Sequence, residues 1–201
     1  MTGRRLVARL REEGGMTLVE LVIYSLLLVI IGGFVGNLIV RGFVAQRDVG
    51  AATAATSTGQ NAAQSIAAGL RNASVIGLVP SAAGTQLLVA RVAGDDSAIS
   101  WSCQAWYFDG DEIYTASSAT GAPTAADATA GLLLASGVSA LDGATPVFAA
   151  PATFSTATRS VRIRFETANG DGRNVLFDTT AVSRQPVPAG GPGSLGVAPC
   201  F

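Results

Sequence analysis

The sequence predicts an α+β protein in which a long N-terminal helix, transmembrane in its first half, packs on a small antiparallel β-sheet. Three observations carry that expectation. Residues 21–40 form an apolar run without a charge. Residues 41–76 are rich in Ala, Thr, Gln and Ser and contain no proline. After Pro80 the apolar residues recur with a period of two, and turn dipeptides interrupt them.

The first 15 residues, MTGRRLVARLREEGG, are polar and carry Arg4, Arg5, Arg9 and Arg11. The run LVIYSLLLVIIGGFVGNLIV follows MTLVE and ends at Arg41. Twenty helical residues span about 30 Å, the thickness of a hydrocarbon core. With the arginines before the span, the positive-inside rule predicts a single-pass protein of the cytoplasmic membrane. Its N-terminus is then cytoplasmic and its C-terminal part extracytoplasmic. A buried core helix is seldom so long and so uniformly apolar. A secretory signal would be shorter and would end in a small-residue cleavage site. A plain signal anchor accounts for everything except Glu20. A carboxylate in mid-bilayer costs about 2.5–3.5 kcal/mol on insertion scales, and Glu20 has no counter-charge nearby in the apolar helix.

Gly14-Gly15-Met16-Thr17-Leu18-Val19-Glu20-Leu21 resembles the prepilin processing motif of type IV pilins and type II secretion pseudopilins. The resemblance is close over about the first 40 residues and architectural beyond them. It implies that a prepilin peptidase cuts between Gly15 and Met16, removing residues 1–15 as a cytoplasmic leader. It also implies methylation of the new amine on Met16. Glu20 then matches the glutamate that meets a neighbouring subunit's N-terminal amine during assembly. The implied partners are the peptidase/methylase, other pilin or pseudopilin subunits, an inner-membrane assembly platform and the lipid bilayer. Met16 replaces the usual Phe, and Asn37 stands where many pilins place a proline. Gly32 and Gly36 are either a helix-packing motif or a source of flexibility.

Residues 41–78 are expected to continue the helix outside the membrane, ending at Gly77 and Pro80, so that the mature helix is roughly 90 Å long. Phe43, Ile66 and Leu70 supply sparse apolar contacts; a flexible linker is the alternative. Residues 79–201 form the sheet domain. Residues 86–92 look like a strand. Residues 99–108 place Ile99, Trp101, Cys103, Ala105 and Tyr107 on one face and turn back through Asp109-Gly110 into 112–117. Residues 118–130 look like a low-complexity loop, and 132–134 and 147–154 like weaker strands. Residues 161–167 and 173–180 make a second hairpin around Asn169-Gly170-Asp171-Gly172. The tail from Gln185 looks irregular. The order of strands resembles the J-type pseudopilins and related minor pilins.

Composition narrows the function. The 201 residues include no His and no Lys; all 13 basic residues are Arg, against 14 acids, and mean hydropathy is +0.42. Without His or Lys the commonest general base, metal ligand and Schiff-base former are missing. No nucleophile–base pair, metal spacing or phosphate loop is present, so an enzyme is not expected and neither a cofactor nor a metal is implied. The two cysteines, Cys103 and Cys200, fit one disulfide in an extracytoplasmic chain, or two free thiols. Arg162 and Arg164 alternate with apolar residues and would suit DNA phosphates, but they equally suit a solvated strand face. Loss of residues 1–15 leaves nine Arg against twelve acids, which makes nucleic acid an improbable partner. Asp109, Asp111 and Glu112 invite comparison with calcium loops but lack the full spacing. The expected function is that of a structural subunit, a minor one, of a type IV pilus or a pilus-like secretion or DNA-uptake machine. A monomeric membrane-anchored adhesin or ligand-binding protein is the alternative.

Overall fold

The computed structural model describes residues 17–79, 84–94, 100–143, 145–149, 159–170, 173–186 and 200. The fold is α+β, a long helix followed by antiparallel strands. The chain divides into two compact units, Met1–Arg47 and Asp48–Phe201.

Helix α1 covers Leu18–Arg71. In the first unit every described residue is solvent-exposed. In the second unit the helix buries Ala55, Gly59, Ala62, Ala63, Ile66, Ala67, Gly69 and Leu70, which recur at spacings of three and four residues. That spacing makes one stripe along an α-helix. Most of these residues are small, so the backbone lies close to what it packs on. The Trp106 ring occupies the place a Cβ at Gly69 would take, and the Phe177 ring does the same at Gly59. Phe43, expected to contribute a contact, is 63% exposed.

The helix ends earlier than residues 76–78, and the reason is tertiary. The Asn72 N–H bonds Gly69 O, and the Arg71 and Asn72 carbonyls accept from Arg184 N and Ala93 N. Residues Ala73–Val79 (ASVIGLV) then form strand β1. It pairs antiparallel with β2, Gln86–Ala93. A seven-residue apolar run after a helix reads as either type by periodicity alone.

β1 and β2 continue into β3 (Trp101–Phe108), β4 (Ile113–Ser118) and β5 (Leu132–Ala135). These five strands form one antiparallel sheet in chain order. Where one sheet was expected, the strands among the described residues form two. In the second, β8 (Ser160–Thr167) pairs along its length with β9 (Val175–Val182) and over short stretches with β6 (Val138–Ser139) and β7 (Phe148–Ala149). Residues 150–158, part of an expected strand, and the tail 187–199 lie outside the described residues. The segment 118–130 is not all loop. It holds helix α2, Ala125–Thr129, started by a reciprocal capping box between Thr124 and Asp127.

Register divides the apolar residues. In the first sheet Ile76, Leu88, Trp106, Phe108 and Ile113 join Ile66 and Leu70 of α1 in the main core, with Val161, Ile163 and Phe165 of β8. Phe165 stacks on Phe177 at 5.2 Å. The opposite face of that sheet holds a smaller cluster of Leu87, Val89 and Ala105. Cys103 shares that face by register and is fully buried. It is disulfide-bonded to Cys200 across 97 residues. On the chain-entropy model a loop of that size stabilises by about 4–5 kcal/mol. Polar ties add to the packing: Thr167 Oγ1 of β8 donates to Ala55 O of α1 at 3.1 Å, and Ser183 Oγ, just past β9, donates to Ala73 O of β1 at 2.5 Å.

Two glycine substitutions test this packing, with opposite signs expected. Gly69→Ala overfills the contact with Trp106 and destabilises by about 1–3 kcal/mol. Gly50→Ala, where a Cβ meets nothing within 4 Å, stabilises by roughly 0.5–1 kcal/mol through helix propensity. Chemical denaturation of the full chain in detergent, followed by tryptophan fluorescence, reads both.

Candidate functional site

The functional candidate is the apolar part of α1 in the first unit. Thr17 begins it: its carbonyl accepts from Leu21 N at 3.1 Å, and its Oγ1 accepts from Glu20 N at 3.3 Å. This is the N-cap half of a Thr-x-x-Glu signature, and it puts the Glu20 carboxylate in the first turn, where the helix dipole favours negative charge. From Leu18 to Val44 the large apolar side chains are all exposed, among them Leu28 at 74% and Phe34 at 70%. The helix is long and apolar enough to cross a membrane and lies near the N-terminus.

Glu20, Tyr24, Ser25, Asn37 and Arg41 find partners in pairs or on the backbone of the helix itself. Ser25 Oγ donates to Val22 O at 2.9 Å, and Arg41 Nε donates to Asn37 Oδ1 at 2.9 Å. The helix therefore passes Asn37 without a break. Glu20 Oε1 accepts from the Tyr24 hydroxyl at 3.1 Å. Sequence reading missed this partner, although a donor four residues beyond an acid on a helix is a recognisable signal. The hydroxyl satisfies one carboxylate oxygen but carries no charge, so the negative charge on Glu20 keeps no compensating cation in the described part of this unit.

A Cβ at Gly32 or Gly36 would meet nothing within 4 Å, so both positions are open to close approach. Gly15 and Met16, the expected cleavage and methylation positions, lie outside the described residues. Cys103 and Cys200 are brought together, as the disulfide reading expected.

The other candidates turn inward to local partners. Arg162 forms a two-pronged pair with Asp178, at 2.8 and 2.6 Å, and Arg164 reaches the same carboxylate at 3.2 Å. The Arg162 bond holds the Asp178 carboxyl below the usual range. The arginines do face away from the apolar side of β8, but an acid on β9 answers them. At the turn after β3, Asp109 Oδ1 accepts from the backbone N–H groups of Asp111 and Glu112 at 3.0 and 2.8 Å. The Glu112 carboxylate accepts from the Tyr114 hydroxyl. Among the described residues no three His, Cys, Asp or Glu side chains converge as a metal site. Trp106 is fully buried in the core, while Trp101 lies under the Arg91 guanidinium, 3.8 Å from the ring centroid.

Compared with protein-family models, curated proteins and solved structures, the chain matches none of them. Fold and site together define an architectural class: one apolar N-terminal helix, long enough to span a membrane, whose later residues pack on antiparallel sheet. That layout is compatible with a pilin.

The Tyr114 hydroxyl offers a pH test of the turn. Its hydrogen bond to Glu112, with burial and the nearby negative charges of Glu112 and Asp109, raises its pKa from 10 to about 12. A raised phenol pKa favours the protonated form in the fold. The contribution is therefore complete below the unfolded value near 10 and disappears as pH rises through about 12. Ultraviolet titration of wild type against Tyr114→Phe should find one phenol ionising near 12, and Glu112→Gln should move it back toward 10.

Proposed function

We propose that this chain is a structural subunit, of minor type, of a type IV pilus or a pilus-like secretion or DNA-uptake machine. A prepilin peptidase cuts it between Gly15 and Met16, and Met16 is N-methylated. The processed subunit assembles through its apolar helix. The observation that carries the reading is an exposed apolar helix bearing a carboxylate that pairs with no cation among the described residues, continuous with a helix face that packs on a disulfide-closed sheet domain.

An unpaired carboxylate in lipid is costly, and an ion pair reduces that cost only when the partner is close. The free amine made by cleavage is a cation delivered at the right end of the helix, four residues before Glu20. A neighbour's amine reaching Glu20 sets the axial register of two subunits. The apolar side chains around it then pack against those of the next helix, with Gly32 and Gly36 allowing backbones to approach. In this scheme the protein is not an enzyme; its partners are the peptidase/methylase, sibling subunits, the assembly platform and the bilayer, and the sheet domain is extracytoplasmic.

Glu20→Ala should leave membrane insertion intact and reduce incorporation into sheared filaments at least tenfold, read by immunoblot of filament and membrane fractions. Equal incorporation sinks the assembly role and favours a monomeric anchored adhesin. Mass spectrometry of the purified wild-type protein should find a chain that begins at methylated Met16, and Gly15→Leu should retain residues 1–15. A wild-type chain that starts at Met1 contradicts the processing step.

A further inference from the structure

We infer that Tyr24 is a positioning residue for Glu20, holding its carboxylate in place in the unassembled subunit. This rests on the assembly role proposed for Glu20. Tyr24 lies one turn beyond Glu20, and side chains on an α-helix lean toward its N-terminus, so the phenol reaches back and donates to Glu20 Oε1 at 3.1 Å. The bond joins two groups that are each expensive in hydrocarbon, a carboxylate and a hydroxyl. Tyr24 is itself half-exposed, so burying its ring in the fold does not explain where its hydroxyl goes.

Two consequences follow from that geometry. The waiting subunit carries its carboxylate with one oxygen already hydrogen-bonded, which lowers the cost of staying in the bilayer before a partner arrives. The bond also restricts the Glu20 rotamers, so an arriving ammonium meets an oriented acceptor and less side-chain entropy is lost on pairing. A hydroxyl suits this task better than a cation would. It leaves the charge of Glu20 uncancelled and available to an amine, whereas an arginine in the same place would form the ion pair internally.

The test uses the full-length protein with Tyr24→Phe, Glu20→Gln and the control Ser25→Ala, compared at equal amounts of membrane-inserted protein. Carbon-13 NMR of glutamate-labelled protein in micelles identifies the Glu20 carboxyl signal by its loss in Glu20→Gln. Tyr24→Phe should shift that signal and lower filament incorporation by roughly three- to tenfold, the range that single hydrogen bonds within membranes support. Ser25→Ala should do neither. If Tyr24→Phe moves only one of the two readouts, or neither, while Glu20→Gln still prevents incorporation, the positioning role is overturned and the assembly role stands. If Glu20→Gln assembles normally, the assembly role fails and the inference fails with it.

Discussion

An apolar helical surface running from Leu18 to Val40 stands exposed with a carboxylate at its start, and the interpretation of the first unit depends on that juxtaposition. Water does not tolerate so large a contiguous apolar surface, so lipid or protein must cover it. Lipid covers the leucines at no cost but a charged Glu20 only at a cost, which a cation brought by a covering protein would reduce. Ser25, Asn37 and Arg41 have their hydrogen bonds met along the helix. Glu20 receives a hydroxyl from Tyr24, which answers the hydrogen-bonding need of the group without cancelling its charge. The residual demand is electrostatic, and an N-terminal ammonium is a cation that a neighbouring copy of such a chain can supply.

The second unit works by a different economy of side chains. Apart from Ile66 and Leu70, its helix buries only alanines and glycines, so much of the apolar volume has to come from elsewhere. The large side chains come from the strands: Trp106 and Phe177 fill the space that Gly69 and Gly59 leave. Small residues thus trade side-chain volume for close approach, and the interdigitation that results restores packing density. The disulfide adds a constraint of another kind, because it limits the unfolded chain over 97 residues. Some surface charges of this unit meet local partners. Asp178 gathers Arg162 and Arg164, and Asp109 and Glu112 are engaged in their own turn. Exposed pairs of this sort add little stability.

Several elements were legible in the sequence because their signals are local. The apolar run, the Asp109-Gly110 hairpin and the alternation of Val161, Ile163 and Phe165 with Arg162 and Arg164 all became the elements their periods imply. Where sequence reading failed, the deciding contact was distant. Residues 73–79 carry no helix-breaking signal until Gly77, yet pairing with β2 makes them a strand. The capping box at Thr124 and Asp127 was local and readable, but the surrounding Ala/Thr composition hid it. The Tyr24–Glu20 bond was also within reach of helical spacing.

The sequence by itself determined that a membrane-length apolar helix carries one acid, that two thiols are available to pair, and that strands follow the helix, because length, charge and periodicity are properties of neighbouring residues. Only the tertiary structure decided where the helix stops, that the strands form two sheets, which face of β3 enters the main core and that Asp178 meets both arginines. Those outcomes depend on strand register and on side chains brought together from up to 112 residues apart, and no local pattern encodes which of several compatible pairings buries the most surface.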